Sequence, residues 1–211
     1  METQDHSEPK AGKRPLFTLA IFALLGIWLV ILLVVASWYQ SNYIVSFTDN
    51  TPHFLDAQAT DAWALALNQQ LPAITGKGRI IQLWKPDCLC NRFARPHALK
   101  TVELAQTAGL EHLTIIPNAT PQKVEELAHL NPNTRVISLN TDALDRWPNA
   151  PTVLYQSAIG QLMYFGPLGF GAFCSQSSAS AIEQQVNNSL QGNSKPFYNV
   201  LGKGCFCSWN S

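Results

Sequence analysis

The sequence predicts an α/β domain that follows a single membrane-length helix, and three observations carry that expectation. Residues 16–36 are apolar apart from Thr18 and the small Gly26. Beyond residue 57, short apolar runs of strand length alternate with stretches whose apolar residues recur at helical spacing. Among them, the run Ile80, Ile81, Leu83 and Trp84 leads through Cys88-Leu89-Cys90 into a helical stretch from about Asn91.

Composition bounds the problem. The chain has 211 residues, enough for one ordinary domain and an anchor. Basic and acidic residues number 14 each, so the formal net charge is zero and nothing points to a nucleic-acid partner. Charged residues are only 13%, low for a soluble protein, partly because the first segment is membrane-like. Five cysteines is an odd number, so at least one is unpaired or bonded to another molecule.

Taken in order, residues 1–15 are polar and place Lys10, Lys13 and Arg14 just before the apolar run. Residues 16–38 form the anchor, since about 20 apolar residues cross a bilayer core. Trp38, Tyr39 and Tyr43 stand where an aromatic belt would. Residues 37–76 contain no Lys or Arg. The positive-inside rule then predicts a single pass through the inner membrane, with the N-terminus cytoplasmic and the domain periplasmic. A cleaved signal peptide is the alternative, but its apolar core would be about 7–15 residues with small residues at the cleavage site. This core is longer, and Val34-Val35-Ala36 is a poor site.

Residues 39–56 read as a linker containing the turn formers Asn50, Thr51 and Pro52. Thr60 or Asp61 is expected to cap a helix with Trp63, Leu67 and Leu71 on its packed face, ended by Pro72 and Gly76. The central strand follows, then the helix after Cys90, with Phe93, Ala94, Leu99, Val102 and Leu104 mostly on one side and Gly109 as its stop. Residues 113–116 read as a strand. Thr120 caps and Pro121 opens a helix that ends at Asn131 and Pro132. Residues 135–139 read as a further strand. Ala150-Pro151-Thr152 opens another, a turn at Gly160 returns it through 161–165, and a long loop follows over 166–171. That loop lacks the GxGxxG spacing of a phosphate cradle. Ser177 or Ser178 caps the last helix, with Ile182, Val186 and Leu190 on one face and Gly192 as its stop. His97, His112 and His129 have no ligand spacing and are expected on the surface.

The extension 193–211 contains Cys205-Phe206-Cys207, a second Cys-x-Cys. Phe197, Tyr198, Val200, Leu201, Phe206 and Trp209 make it too apolar for a free tail, so it is expected to pack on the domain. The chemistry is expected at Cys88 and Cys90. They stand at a strand-to-helix turn, where unpaired N–H groups and the helix dipole favour a thiolate. Structural cysteines or a metal half-site are the other readings of that pair.

The stretch 79–104 resembles the active site of the thioredoxin-like superfamily. Trp84 stands four residues before Cys88, and Pro96 stands eight after it. The family's second cysteine falls on Asn91, whereas here the second thiol is Cys90, so the motif is CxC rather than CxxC. Pro151 matches the family's proline, usually cis, that faces the cysteines. The strand–Gly160–strand–helix succession looks like its C-terminal hairpin and last helix. The resemblance covers roughly residues 79–190 and implies a thioredoxin-like central sheet flanked by helices over 57–192. It implies that Cys88 attacks and Cys90 resolves, through a tight, readily reduced Cys88–Cys90 disulfide, with Trp84 and Pro151 shaping a substrate groove. The loop after the hairpin borders the active site in the family. Cys174 and, with the tail docked, Cys205 and Cys207 are therefore expected near Cys88 as possible redox partners.

The function so implied is membrane-anchored thiol–disulfide exchange in the periplasm, acting on protein thiols or disulfides without an organic cofactor and with no resident metal. A thioredoxin-like protein that binds copper or zinc through its soft thiolates is one alternative. A non-catalytic binding module with structural cysteines is the other. The sequence leaves oxidant, reductant and isomerase open.

Overall fold

The computed structural model describes residues 14–209 apart from 131, 141, 143, 145 and 194. Lys10, Lys13 and Asn131 thus lie outside the described residues. The chain divides into two compact units, Met1–Asn42 and Tyr43–Ser211. The first is built on α1 (Arg14–Tyr43). Its stretch Phe17–Asn42 has 26 residues and contains an 18-residue window of mean hydropathy 3.1, none of it buried within the chain. At 1.5 Å per residue it is about 39 Å long, more than the roughly 30 Å hydrocarbon core of a bilayer. One helix is therefore long and apolar enough to cross a membrane.

The second unit begins with β1 (Ile44–Ser46), a 3-10 turn (Pro52–Leu55) and α2 (Ala57–Gln69). The stretch read as a linker is part of the fold: Phe47 and Phe54 are each 1% exposed. Helix α2 is capped by Asp56, whose carboxylate accepts from Gln58 N at 3.0 Å, rather than by Thr60 or Asp61. Thr60 lies inside the helix and turns its hydroxyl back to Asp56 O. The central segment is β2 (Gly78–Leu83), α3 (Asn91–Ala108), β3 (Glu111–Pro117), α4 (Pro121–Leu130) and β4 (Arg135–Leu139). Then come β5 (Thr152–Ser157), β6 (Leu162–Pro167), β7 (Gly169–Phe170), β8 (Gln176–Ser177) and α5 (Ala179–Leu190). The tail adds β9 (Phe197–Tyr198) and β10 (Lys203–Cys205).

Six strands form the main sheet in the order β4-β3-β2-β5-β6-β9. Strands β2, β3 and β4 run parallel, which helices α3 and α4 permit as crossovers. Strand β5 pairs antiparallel with β2 and with β6, and β9 adds a parallel edge. Side chains alternate across the sheet, so neighbours Ile80 and Ile81 enter different cores. On one face Ile80, Val153, Tyr155 and Met163 meet α3 and α5. On the other, Ile81, Leu83, Leu154 and Phe165 meet α2, the two N-terminal phenylalanines, and Val200 and Phe206 from the tail.

Helix α3 stops at Gly109, whose φ of 67° is left-handed, as its composition predicts. Its buried stripe is Asn91, Ala94, Ala98, Thr101 and Ala105, rather than the larger residues expected there; Leu99 is 49% exposed. Small residues let the helix lie close to the sheet. His112 corrects the surface reading of the histidines. It sits on β3 at 6% exposure, and burial lowers its pKa to about 4. The loop after β6 is not irregular throughout: β7 and β8 close it as a short hairpin. At α5, Ser177 Oγ accepts from Ala179 N, while Ser178 occupies the N-cap position without a side-chain bond.

Candidate active site: two cystines at the head of a helix

The site begins where β2 ends. After Leu83 the chain turns through Lys85-Pro86-Asp87, and Cys88 N donates to Lys85 O at 3.1 Å. Asn91 then donates its backbone N–H to Cys88 O at 3.1 Å and its side-chain amide to Lys85 O at 2.6 Å. Ala94 N reaches Cys90 O at 3.0 Å, so Cys90 is the N-cap of α3. These short-range bonds fix both cysteines on the strand–turn–helix corner without help from elsewhere. Cys88 is 5% exposed and Cys90 fully buried.

Their partners differ from the expected Cys88–Cys90 disulfide. Cys88 is bonded to Cys207, and Cys90 to Cys205, across 119 and 115 residues of sequence. An adjacent CxC ring would have joined the two thiols of one motif. With a second CxC docked opposite, each thiol has a partner across the gap, at Cα separations of 5.9 and 5.4 Å, the ordinary range for a bridge. The two bridges touch: Cys207 Sγ lies 3.9 Å from Cys90 Sγ.

The tail is held by pairing on three sides. Strand β10 runs antiparallel to β1, setting Cys205 opposite Ile44. Gly171 N donates to Lys203 O at 2.8 Å. Cys207 exchanges two backbone bonds with Ala150, at 2.9 and 2.8 Å. Two glycines make the close approach possible. A Cβ at Gly202 would stand 1.8 Å from Phe170 Cε1, and one at Gly204 would stand 2.9 Å from Phe206 Cζ. Lys85 Nζ adds a bond to Ser208 O at 2.7 Å.

Ala150–Pro151 is cis, as the resemblance implies, and it meets the cysteines: Cys88 Sγ contacts Ala150 O at 4.0 Å. Asn149 anchors that corner by donating to Phe47 O and Asp49 O, both at 2.9 Å. Trp84 packs on the core beneath α3 and lines a cavity of about 140 Å³ with Gln82, Ala98, Leu99 and Val136. The sulfurs are surrounded by Ala94, with Phe93 packed against them.

Cys174 joins the same buried cluster but carries a free thiol. Burial pushes that thiol up to about 11, against a smaller opposing effect of its hydrogen bond with the Cys205 backbone. At neutral pH it is a protonated thiol and a poor nucleophile. It lies in a tight corner in which Phe173 and Cys174 both have positive φ, 56° and 50°. His97 Nε2 is 2.6 Å from Cys174 O. Reasoning from sequence missed Asn149 and Lys85 as parts of this site, and named Ala150 only as the residue before Pro151. Ala150 and Cys207 act through their backbones, which residue type does not reveal.

A parallel β2-β3-β4 half, an antiparallel β5-β6 half, helices on both faces and a cis proline against a strand-to-helix cysteine make the domain thioredoxin-like. The chain belongs to the family described as DUF6436, a domain of unknown function, whose model matches residues 57–209. No curated protein matches it. Among solved structures, a hypothetical protein of Sinorhizobium meliloti is similar at 14% identity and a TM-score of 0.50, over 63% of this chain and 78% of that one. A secreted disulfide oxidoreductase of Mycobacterium tuberculosis, homologous to E. coli DsbE, is 15% identical with a TM-score of 0.39, over 53% and 81%. A thiol:disulfide interchange protein of the thioredoxin family from Chlorobium tepidum is 17% identical with a TM-score of 0.40, over 54% and 80%.

Proposed function

We propose that the protein is a membrane-anchored thiol–disulfide exchange protein, with its domain in the periplasm and Cys88 and Cys90 as its exchange residues. The observation that carries this reading is the Cys88–Cys207 bridge at the head of α3, laid against the residue before a cis proline. A thiolate released there faces the N-terminus of an 18-residue helix, which favours negative charge.

The exchange balances as follows. The thiolate of a protein dithiol attacks Cys207 Sγ, which belongs to the least buried of the four bonded cysteines. A substrate–Cys207 bond forms, the Cys88–Cys207 bond breaks, and Cys88 leaves as the thiolate. The substrate's second thiolate then attacks its own first sulfur and expels Cys207. The substrate gains a disulfide, and the bridge becomes two thiols. Starting from the reduced bridge, the Cys88 thiolate attacks a substrate disulfide and expels one substrate thiolate, and the Cys207 thiolate then attacks Cys88 Sγ, closing the bridge and expelling the other. The Cys90–Cys205 bridge can accept a second electron pair beside the first. Across the 3.9 Å contact, a freed Cys207 thiolate can attack Cys90, forming Cys90–Cys207 and releasing Cys205. Basic residues before the apolar run and none in 37–76 support the periplasmic side for the domain.

The test treats the oxidised full chain, in detergent micelles, with a reduced protein dithiol, quenches with an alkylating agent and maps the bonds by mass. Oxidation of the dithiol, with Cys88 and Cys207 labelled before Cys90 and Cys205, is the expected outcome, and Cys88→Ser should cut it from two dithiols per chain to at most one. If all four cysteines stay bonded against excess dithiol, the domain is a binding module with structural cystines. For the compartment, a reporter fused after Ser211 should be active only where exported proteins are.

A further inference from the structure

Once both bridges are opened, four thiols remain facing one another in one buried place, and that is a metal-binding arrangement. We propose that the reduced protein binds one Zn(II) through Cys88, Cys90, Cys205 and Cys207 in tetrahedral thiolate coordination. The site uses the cysteines of the exchange reading but needs no exchange with a protein substrate, so either reading can fail alone.

Geometry comes first. The sulfurs of Cys88, Cys90 and Cys207 lie within 4.8 Å of one another. Cys90 and Cys207 belong to different bridges, yet their sulfurs are 3.9 Å apart. A tetrahedral site with Zn–S of about 2.3 Å has sulfur–sulfur edges of about 3.8 Å. One edge is therefore set before any bond is opened. Cys205 adjoins the group through its bond to Cys90 and lies in the same buried cysteine cluster, though its sulfur is outside the 4.8 Å set and must swing inward on reduction. Opening each bridge requires its two sulfurs to part from bonding distance to about that edge length. The Cα separations of 5.9 and 5.4 Å leave room for that parting by side-chain rotation.

The scaffold keeps the four thiols together after reduction. Cys88 and Cys90 are fixed by the hydrogen bonds of their own turn and helix. Cys207 is paired both ways with Ala150, and Cys205 lies in β10 opposite Ile44. Val200 and Phe206, buried in the core, hold the tail on either side of Cys205.

The donor set then selects the ion. Among the described residues the group contains no histidine and no carboxylate, which disfavours Mg(II) and Ca(II) and favours a thiophilic d10 ion. Cys90 and Cys205 are fully buried, Cys88 nearly so and Cys207 half-buried, and four sulfurs fill a tetrahedral shell. A closed four-sulfur site is structural rather than catalytic. Charge favours occupancy as well: four thiolates cannot be buried bare, and the divalent ion cancels half their charge.

Electrons and protons balance. Opening the two bridges takes four electrons and four protons from two equivalents of a dithiol, which leave as disulfides. Zn(II) then displaces the four thiol protons. Zinc would hold the tail down in the reduced state as the cystines do in the oxidised state.

The test uses the full chain in detergent micelles, reduced by a phosphine, freed of reductant without oxygen, and titrated with Zn(II) against a chromophoric chelator. The expected result is one Zn(II) per reduced chain and none per oxidised chain. X-ray absorption at the zinc edge should show four sulfur neighbours at about 2.3 Å. Cys90→Ser and Cys207→Ser should each lower the affinity by about a hundredfold or more, beyond what loss of a supporting group costs. Cys174→Ser should leave it unchanged. A folded, reduced wild-type chain that takes up no Zn(II), or a first shell dominated by nitrogen and oxygen, overturns the proposal. The absorption measurement on wild-type protein decides the matter even where a cysteine variant fails to fold. The dithiol assay above is carried out without zinc, so its failure would leave this result standing.

Discussion

Cys88 and Cys90 sit in a corner whose hydrogen bonds close within ten residues, from Lys85 to Ala94. Cys205 and Cys207 have the same spacing but rely on residues 44–46, 150 and 171 for their position. The first pair is local and built on a helix. The second is assembled from strand fragments two and three residues long, each too short to persist alone. Bridges between the pairs therefore do little for the helix pair and much for the tail. One motif supplies a rigid platform, and the other supplies a detachable partner.

The largest expected effect comes from removing both tail thiols. With both bridges present, the second closes only a small ring, because its ends lie two residues from those of the first. Either bridge alone keeps the loop of over a hundred residues closed, worth about 4–5 kcal/mol. Cys205→Ser with Cys88→Ser, or Cys207→Ser with Cys90→Ser, leaves at most one non-native pairing. Cys205→Ser with Cys207→Ser removes the tether entirely and should lose about 4–5 kcal/mol in chemical denaturation. Hydrogen exchange should then rise in β1 and β10 while the α3 amides stay protected. Equal loss of protection in α3 would erase the contrast.

Phe206→Ala tests the same contrast without touching a sulfur. The ring is 5% exposed and meets Phe47 edge-on at 5.3 Å. The change should cost about 3–4 kcal/mol and speed reduction of the bridges, as read by alkylation. Unchanged reduction rates would mean that the cystines hold the tail without help from the core.

His112 provides a background common to both regions. Burial, the dominant cause, holds its pKa at about 4, well below the usual 6.5. The unfolded chain thus binds a proton that the folded chain refuses. Stability from this group is complete above pH 6.5, falls as pH drops through that value, and levels off below about 4. The full loss is about 3 kcal/mol. Denaturation followed from pH 7 to 4 should show this slope, and His112→Phe should flatten it. A slope that survives the substitution belongs to another group.

The smallest effect is expected at Asn91, whose amide ties the helix pair to Lys85 O. Asn91→Ala should cost about 1 kcal/mol and loosen the Cys88 turn alone. The β10 amides should not respond.

Much of this architecture was legible because its signals are local. The β2–turn–α3 corner, the Thr120-Pro121 helix start and the Ala150-Pro151 corner each announce themselves within a few residues. The bond pattern was not legible, since five cysteines allow fifteen two-bridge pairings and spacing does not choose among them. Strands β1 and β9 carry too few residues to show alternation. The buried stripe of α3 was hidden because alanine and threonine, not leucine, face the sheet. His112 read as a surface residue because its strand is covered on both faces, which only the packing of α2 and α3 establishes.

The sequence distance between bonded cysteines also sets an order in time. When the ribosome has finished Cys88 and Cys90, their partners are still 119 and 115 residues from being made. At about 5–20 residues per second, the gap is on the order of ten seconds. Throughout it the helix pair has no native partner and must stay reduced, pair within itself, or pair with another molecule. The native bonds are thus the last to become possible, and a chain cut short before β10 presents an open Cys-x-Cys at the head of its helix.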